Sequence, residues 1–208
     1  MKIQSKHFVL SLLLAMGAAQ SNAAVIGFDD LDTRNNFDNL GISNTYAGYI
    51  WSSSGSTGEG WAVATTSQPI SGPMSTPVSG NTIAWNWDGV QSLYINFGAA
   101  TNVKGAWIAT GYDAGDANAK SVKMLGYDID NNLVATSSSL SPTFAFQHLE
   151  AGFTGIYRLA IQANAESQWF AVDSIEVNPT VAAVPEPTSI VMMGLGLAAI
   201  GLIRRKKA

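Results

Sequence analysis

The chain has no cysteine. Disulfides, thiolate metal sites and cysteine nucleophiles are therefore excluded, and stability has to come from a packed core, a bound ion, or both. Histidine is nearly absent as well: of the two, only His148 lies beyond the first 23 residues. No G-x-S-x-G elbow accompanies it, so a serine hydrolase has little to stand on. A lone histidine in the strand-like "FAFQHLE" is the plainer structural reading. Charged residues make up only 12% of the 208 residues, against 47% hydrophobic, and much of the apolar content sits at the two ends. Between those ends no stretch shows a sustained helical period.

What is present begins with the ends. Lys2 and Lys6 precede the apolar run "FVLSLLLAMGAA", and "SNA" (Ser21–Ala23) supplies small residues for cleavage before Ala24. Residues 1–23 thus read as a secretory signal peptide. From Ala24 to Thr180, five cations stand against fourteen carboxylates, a net charge of −9. A body so acidic repels nucleic acid and anionic membranes and attracts cations, Ca²⁺ included. At the far end, Pro185, Glu186 and Pro187 break any preceding strand. The uncharged Thr188–Ile203 follows, then Arg204, Arg205, Lys206 and Lys207. As a helix those 16 residues span about 24 Å, a short membrane anchor whose cationic end stays cytoplasmic and leaves the body outside.

"VPEPTSIVMMGLGLAAIGLIRRKKA" resembles a PEP-CTERM sorting signal: Pro-Glu-Pro at 185–187, an apolar helix, and a basic end at 204–207. The resemblance implies processing by an exosortase, a membrane-embedded protease. It also implies association with exopolysaccharide and biofilm systems. Such a tail is an address removed from the mature protein, by the logic of a GPI signal. The expected localisation follows: export, anchoring through the C-terminal helix facing the periplasm, then cell surface or extracellular matrix after processing.

The middle, residues 24–179, carries turn signals ("SGN", "WDGV", "DIDNN") between short apolar or alternating runs. Leu93, Ile95 and Phe97 alternate with Tyr94 and Asn96. "SVKMLGYDI", "TFAFQHL", "IYRLAIQA" and "WFAVDSIEV" are further strand candidates. Many short strands with Gly and Asn turns predict an all-β sandwich. The body is similar to the jelly-roll-like, carbohydrate-binding-module-like sandwiches common in PEP-CTERM proteins. "GFDD", "YAGYIW", "VKMLGYDIDNN" and the closing "LEAGFTGIYRLAIQANAESQWFAVDSIEV" carry that likeness. It departs from the family at Ser174, where a second acid often follows Asp173, and at Tyr157, where an acid is common.

Several constellations bear on chemistry. Asp128, Asp130 and Asn132 begin like an EF-hand loop, but Leu133 and Ser139 stand where Gly and Glu are required, so a hairpin turn is expected. Asp29 and Asp30 (with Asp32) lie near the start of the body and Asp173 near its end. First and last strands of jelly rolls often adjoin, which would gather these carboxylates around a structural Ca²⁺; the plainer alternative has Asp173 bonding backbone amides at a strand end. "DAGDAN" is a weaker second ion candidate, and "GSTGEG" lacks the context of a phosphate loop. Six tryptophans lie in the body; Trp85 and Trp87, two apart in "IAWNWDG", would share a strand face and stack on sugars if exposed, or fill the core if not. The expected function is an exported, non-enzymatic surface or matrix protein associated with exopolysaccharide. The alternatives are a carbohydrate-binding module using Trp85 and Trp87 and, behind it, a surface glycan hydrolase.

Overall fold

Runs of β-branched and aromatic residues between turn residues become strands here, as the sequence predicts. A computed structural model describes residues 24–31, 38–39, 45–55, 60–65, 76–110 and 117–179. The signal-peptide, sorting-tail and Asp32 expectations lie outside these described residues, as does most of "GSTGEG" and of "DAGDAN". The described strands are β1 (Ala24–Ile26), β2 (Asp38–Asn39), β3 (Thr45–Tyr46), β4 (Tyr49–Ser53), β5 (Trp61–Thr65), β6 (Thr82–Asn86), β7 (Ser92–Thr110), β8 (Val122–Tyr127), β9 (Leu133–Thr136), β10 (Gln147–Ala163) and β11 (Phe170–Pro179). A 3-10 turn, Trp87–Gly89, follows β6. All pairing between these strands is antiparallel. Among the described residues no helix is long and apolar enough to cross a membrane.

The two long strands, β7 and β10, build a sandwich out of one continuous sheet. The first half of β7 pairs with β4 on one side and with the second half of β10 on the other. Adding β3, β8 and β9 completes a first layer, ordered β3-β4-β7-β10-β8-β9. The second half of β7 instead pairs with β11 and with the first half of β10, giving a second layer, β2-β5-β6-β11-β7-β10. β1 continues the β6 edge of β11, with Ala24 opposite Val177. Between the halves the β7–β10 register shifts three times, from Glu150 to Arg158. Gly152 and Gly155, at φ 62° and 65°, sit in those shifts. Left-handed glycines of this kind admit the extra residue of a bulge and bend the strand from one layer into the other.

The inner faces meet in one hydrophobic cluster. Leu93, Ile95, Met124, Leu159 and Ile161 come from the first layer, and Val63, Ala106, Ile108, Phe170 and Val172 from the second. Trp51 of β4 and Trp61 of β5 bridge the layers edge to face, their centroids 4.7 Å apart. Both indole N–H groups are satisfied, by the Tyr46 carbonyl at 2.8 Å and the Tyr94 carbonyl at 3.2 Å. Two of the six tryptophans are therefore core residues, each fully buried side chain contributing some 2–3 kcal/mol of burial.

Candidate functional site

Four side-chain groups carry polar chemistry. The first contains the acids singled out in the sequence. Because β1 pairs with β11, Asp29 and Asp173 come to the same loop, residues 78–82, from opposite ends of the chain. Asp173 is fully buried. Its Oδ2 accepts from the Val78 and Ser79 amides (2.7 and 3.0 Å), and its Oδ1 from the hydroxyls of Ser79 (3.2 Å) and Ser174 (3.1 Å). Asp29 Oδ1 accepts from the Asn81 and Thr82 amides at 2.7 and 3.0 Å. A Cβ on Gly80 would overlap the Asp29 carboxylate, so only glycine, here at φ +52°, lets the loop close onto it. Charge-assisted bonds of this kind satisfy Asp173 without an ion.

Asp30 lies beside this latch. The Tyr46 hydroxyl stands between the Asp30 carboxylate (Oδ1, 2.5 Å) and the Gly27 carbonyl. Burial, then the bond to Asp30 and the Asp30 and Asp29 charges, push the phenol well above its ordinary pKa, so it stays a donor. A cavity of about 380 Å³ opens here, lined by Gly27, Asp29, Asp30, Tyr46 and Tyr49 among others. Asp29 Oδ2 and the Asp30 carboxylate are what this cavity offers a cation, and among the described residues no three acids or histidines are grouped as metal ligands.

The second group is aromatic. All of β6 is buried, so its outward residues are covered too. Trp85 is 3% exposed, its ring 5.9 Å from Trp87 and 5.8 Å from Trp169. The strand ends at Asn86, so Trp87 sits in the 3-10 turn rather than on a shared strand face, and is half-buried. Asn86 explains the break. Buried, it donates to the carbonyls of Val90 (2.9 Å) and Gln168 (2.6 Å) and accepts from the Phe170 amide (2.7 Å), clamping the turn to the start of β11.

The third group surrounds His148, which faces Trp107 across the β7–β10 pairing with ring centroids 5.3 Å apart. Its Nδ1 is 3.3 Å from Glu150 and its Nε2 3.4 Å from Glu176, which also pairs with Lys104 at 2.9 Å. A Cβ on Gly105 would strike the imidazole at 2.6 Å, so the ring packs directly against bare backbone. The neighbours of this histidine are carboxylates and a ring; nothing in the group supplies a nucleophile.

The fourth group was not singled out in the sequence. Arg158 of β10 lies between two tyrosines, its Cζ 4.1 Å from the Tyr127 ring centre and 4.9 Å from that of Tyr94. Its Nε is buried without a hydrogen-bond partner. The available signal was negative: "YINF", "VKMLGY" and "YRLAIQA" hold cations and tyrosines and no acid, in a chain whose acids outnumber its cations.

Known proteins add one decisive finding. Residues 183–207 match the PEP-CTERM protein-sorting motif. The chain carries a PEP-CTERM sorting tail. A chain with that motif is exported and is a substrate for exosortase processing. No curated protein matches the sequence. Among solved structures, a DUF4465 family protein from Bacteroides caccae is 15% identical, with a TM-score of 0.48 over 76% of this chain and 100% of its own. The K1 cleaved adhesin domain of Lys-gingipain from Porphyromonas gingivalis is 10% identical (TM-score 0.46; 77% and 99% covered). The tandem CBM22 domain of Paenibacillus barcinonensis Xyn10C is 10% identical (TM-score 0.47; 83% and 50% covered).

Proposed function

We propose that this is a non-enzymatic cell-surface or extracellular-matrix protein that associates with exopolysaccharide. The observation that carries the reading is the PEP-CTERM tail at 183–207, which marks the β-sandwich body as an exported substrate for exosortase processing. The body supports it: its only histidine is flanked by carboxylates, and Asp173, the one buried acid among the described residues, is engaged by backbone amides. In this reading residues 1–23 are removed on export, the apolar helix holds the precursor in the membrane with the body facing the periplasm, and exosortase acts near Pro185–Pro187. The test is the intact mass of the protein recovered from membrane and extracellular fractions of its host. Loss of both ends is expected. A mass that retains 188–208 in every fraction would make the tail a permanent anchor and overturn the matrix reading.

A structural calcium is proposed at the Asp29–Asp30 side of the cavity, next to Asp173 in its latch. An EDTA-induced fall in melting temperature, restored by Ca²⁺, is the expected result, and no change removes the ion. Use of Trp87 as a sugar platform, backed by Trp85, is tested by Trp87→Ala, which should lower polysaccharide retention while leaving the melting temperature in place.

A further inference from the structure

The first layer differs in charge from the rest of the body. Its strand segments are "TY", "YIWSS", "SLYINF", "YRLAIQA", "VKMLGY" and "LVAT", and none contains an aspartate or glutamate. They hold two cations, Lys123 and Arg158. Neither forms an ion pair among the described residues, whereas Lys104 on the second layer is paired with Glu176. A body of net charge −9 thus presents one sheet face that is cationic.

Register fixes what stands on that face. Leu93, Ile95, Met124, Leu159 and Ile161 point into the core, so Tyr94, Asn96, Lys123, Tyr127, Arg158 and Gln162 point outward. Ile50, Asn96, Arg158 and Tyr127 are directly opposite one another on four successive strands. Arg158 is thereby central, and the flanking tyrosine rings hold its guanidinium. Lys123 and Gln162 are paired four residues further along, about 13 Å from the Arg158 row. There they join Gln91, Ser121, Ser139 and Asn164 around a cavity of about 370 Å³.

From this juxtaposition we propose that the outer face of the first layer binds an acidic polysaccharide, one bearing carboxylates on its sugar rings. The proposal rests on the polysaccharide reading above and names its substrate class and face. Arg158 would take a sugar carboxylate in a bidentate pair, since its planar fork of donors matches that group and cannot lose its charge. The tyrosine rings offer apolar faces to the sugars, and the amides and hydroxyls around Lys123 face further hydroxyl or carboxylate groups. A neutral glycan leaves the unpaired cations unexplained. A nucleic acid carries a charge every ~3.4 Å per strand and needs many cations, where this face has two on a body that repels it.

The test is affinity electrophoresis of the purified protein through gels containing polygalacturonate, with dextran as the neutral comparison and single-stranded DNA as a competitor. Retardation by polygalacturonate alone is expected, weakening as salt rises from about 50 to about 300 mM. Arg158→Gln and Arg158→Lys should each weaken binding by about tenfold, because lysine cannot reproduce the bidentate pair. Lys123→Gln, well away from the tyrosine stack, should weaken it by a few-fold. Lys104→Gln, on the other layer, should leave it unchanged. Retention by polygalacturonate that ignores both Arg158 and Lys123 overturns the face. Equal retention by dextran overturns the acidic class while leaving the polysaccharide reading intact. Retention by neither polymer counts against both, and displacement by DNA at matching charge concentration reassigns the face to nucleic acid.

Discussion

Single residues decide whether the 78–82 loop stays on the sandwich. Asp173 is a buried charge whose cost is offset by two amides and two hydroxyls, so removing it strands both amides and leaves the Ser79 and Ser174 hydroxyls only each other. Asp173→Ala should destabilise the body by about 2–4 kcal/mol, lowering the melting temperature by roughly 5–15 °C on thermal unfolding. Asp173→Asn should cost less, because its carbonyl oxygen can keep the two amides while its NH2 group donates to the Ser79 and Ser174 hydroxyls, which can rotate to accept. A smaller carboxylate effect is set by pH. The Asn132 amide (2.8 Å) and side chain (3.1 Å) hold the Asp128 carboxyl below the usual carboxylate range. A pKa lower in the folded than in the unfolded chain stabilises above the ordinary carboxylate value and fades as pH falls through the folded one. Melting temperature should therefore fall on acidification below about pH 4, and Asp128→Ala should flatten that part of the curve. The hairpin reading of Asp128–Asn132 needed only the missing Gly and Glu of an EF loop. The fate of Asp173 needed the partner loop, 94 residues away in sequence, which no local pattern reveals.

Among the elements, alternation was informative wherever one face is core and the other is open. Leu93, Ile95 and Phe97 are buried and Tyr94 and Asn96 are partly open, as their period of two predicts. β6 conceals its faces because both are covered, so the spacing of Trp85 and Trp87 could not distinguish a platform from a packed cluster. The length of β7 was hidden for another reason: the alternation of Leu93, Ile95 and Phe97 covers only its start, yet the strand runs on for 19 residues by bending. That bend uses left-handed glycines in both strands, Gly98 in β7 (φ 68°) and Gly152 and Gly155 in β10. A Cβ at Gly152 or Gly155 meets nothing within 4 Å, so the only cost of alanine there is its left-handed backbone. Each change should destabilise by about 1–2 kcal/mol, read as a lowered denaturation midpoint with an unchanged slope. Gly105→Ala should cost more than either, since its Cβ meets the His148 ring and the Leu149 carbonyl at 2.6 Å.

For the whole molecule, charge is arranged in the same sense as its journey. In the proposed reading, the four terminal cations follow a short uncharged segment and stay at the inner membrane surface, while the body left outside is acidic. Orientation should thus depend on Arg204–Lys207 rather than on any feature of the sandwich. Replacing all four with serine should leave the folded body and its melting temperature unchanged but impair tail removal, because Pro185–Pro187 would no longer be presented reliably from the outer side. Intact mass reports this directly: the variant should accumulate with residues 188–208 attached, while the native chain loses them. A single replacement such as Lys207→Ser should have little effect, since three cations still anchor the end, each disfavouring the membrane core by about 2.5–3.5 kcal/mol. Normal processing of the fourfold variant would mean that recognition lies wholly in the Pro-Glu-Pro segment and the apolar run, with the basic end dispensable.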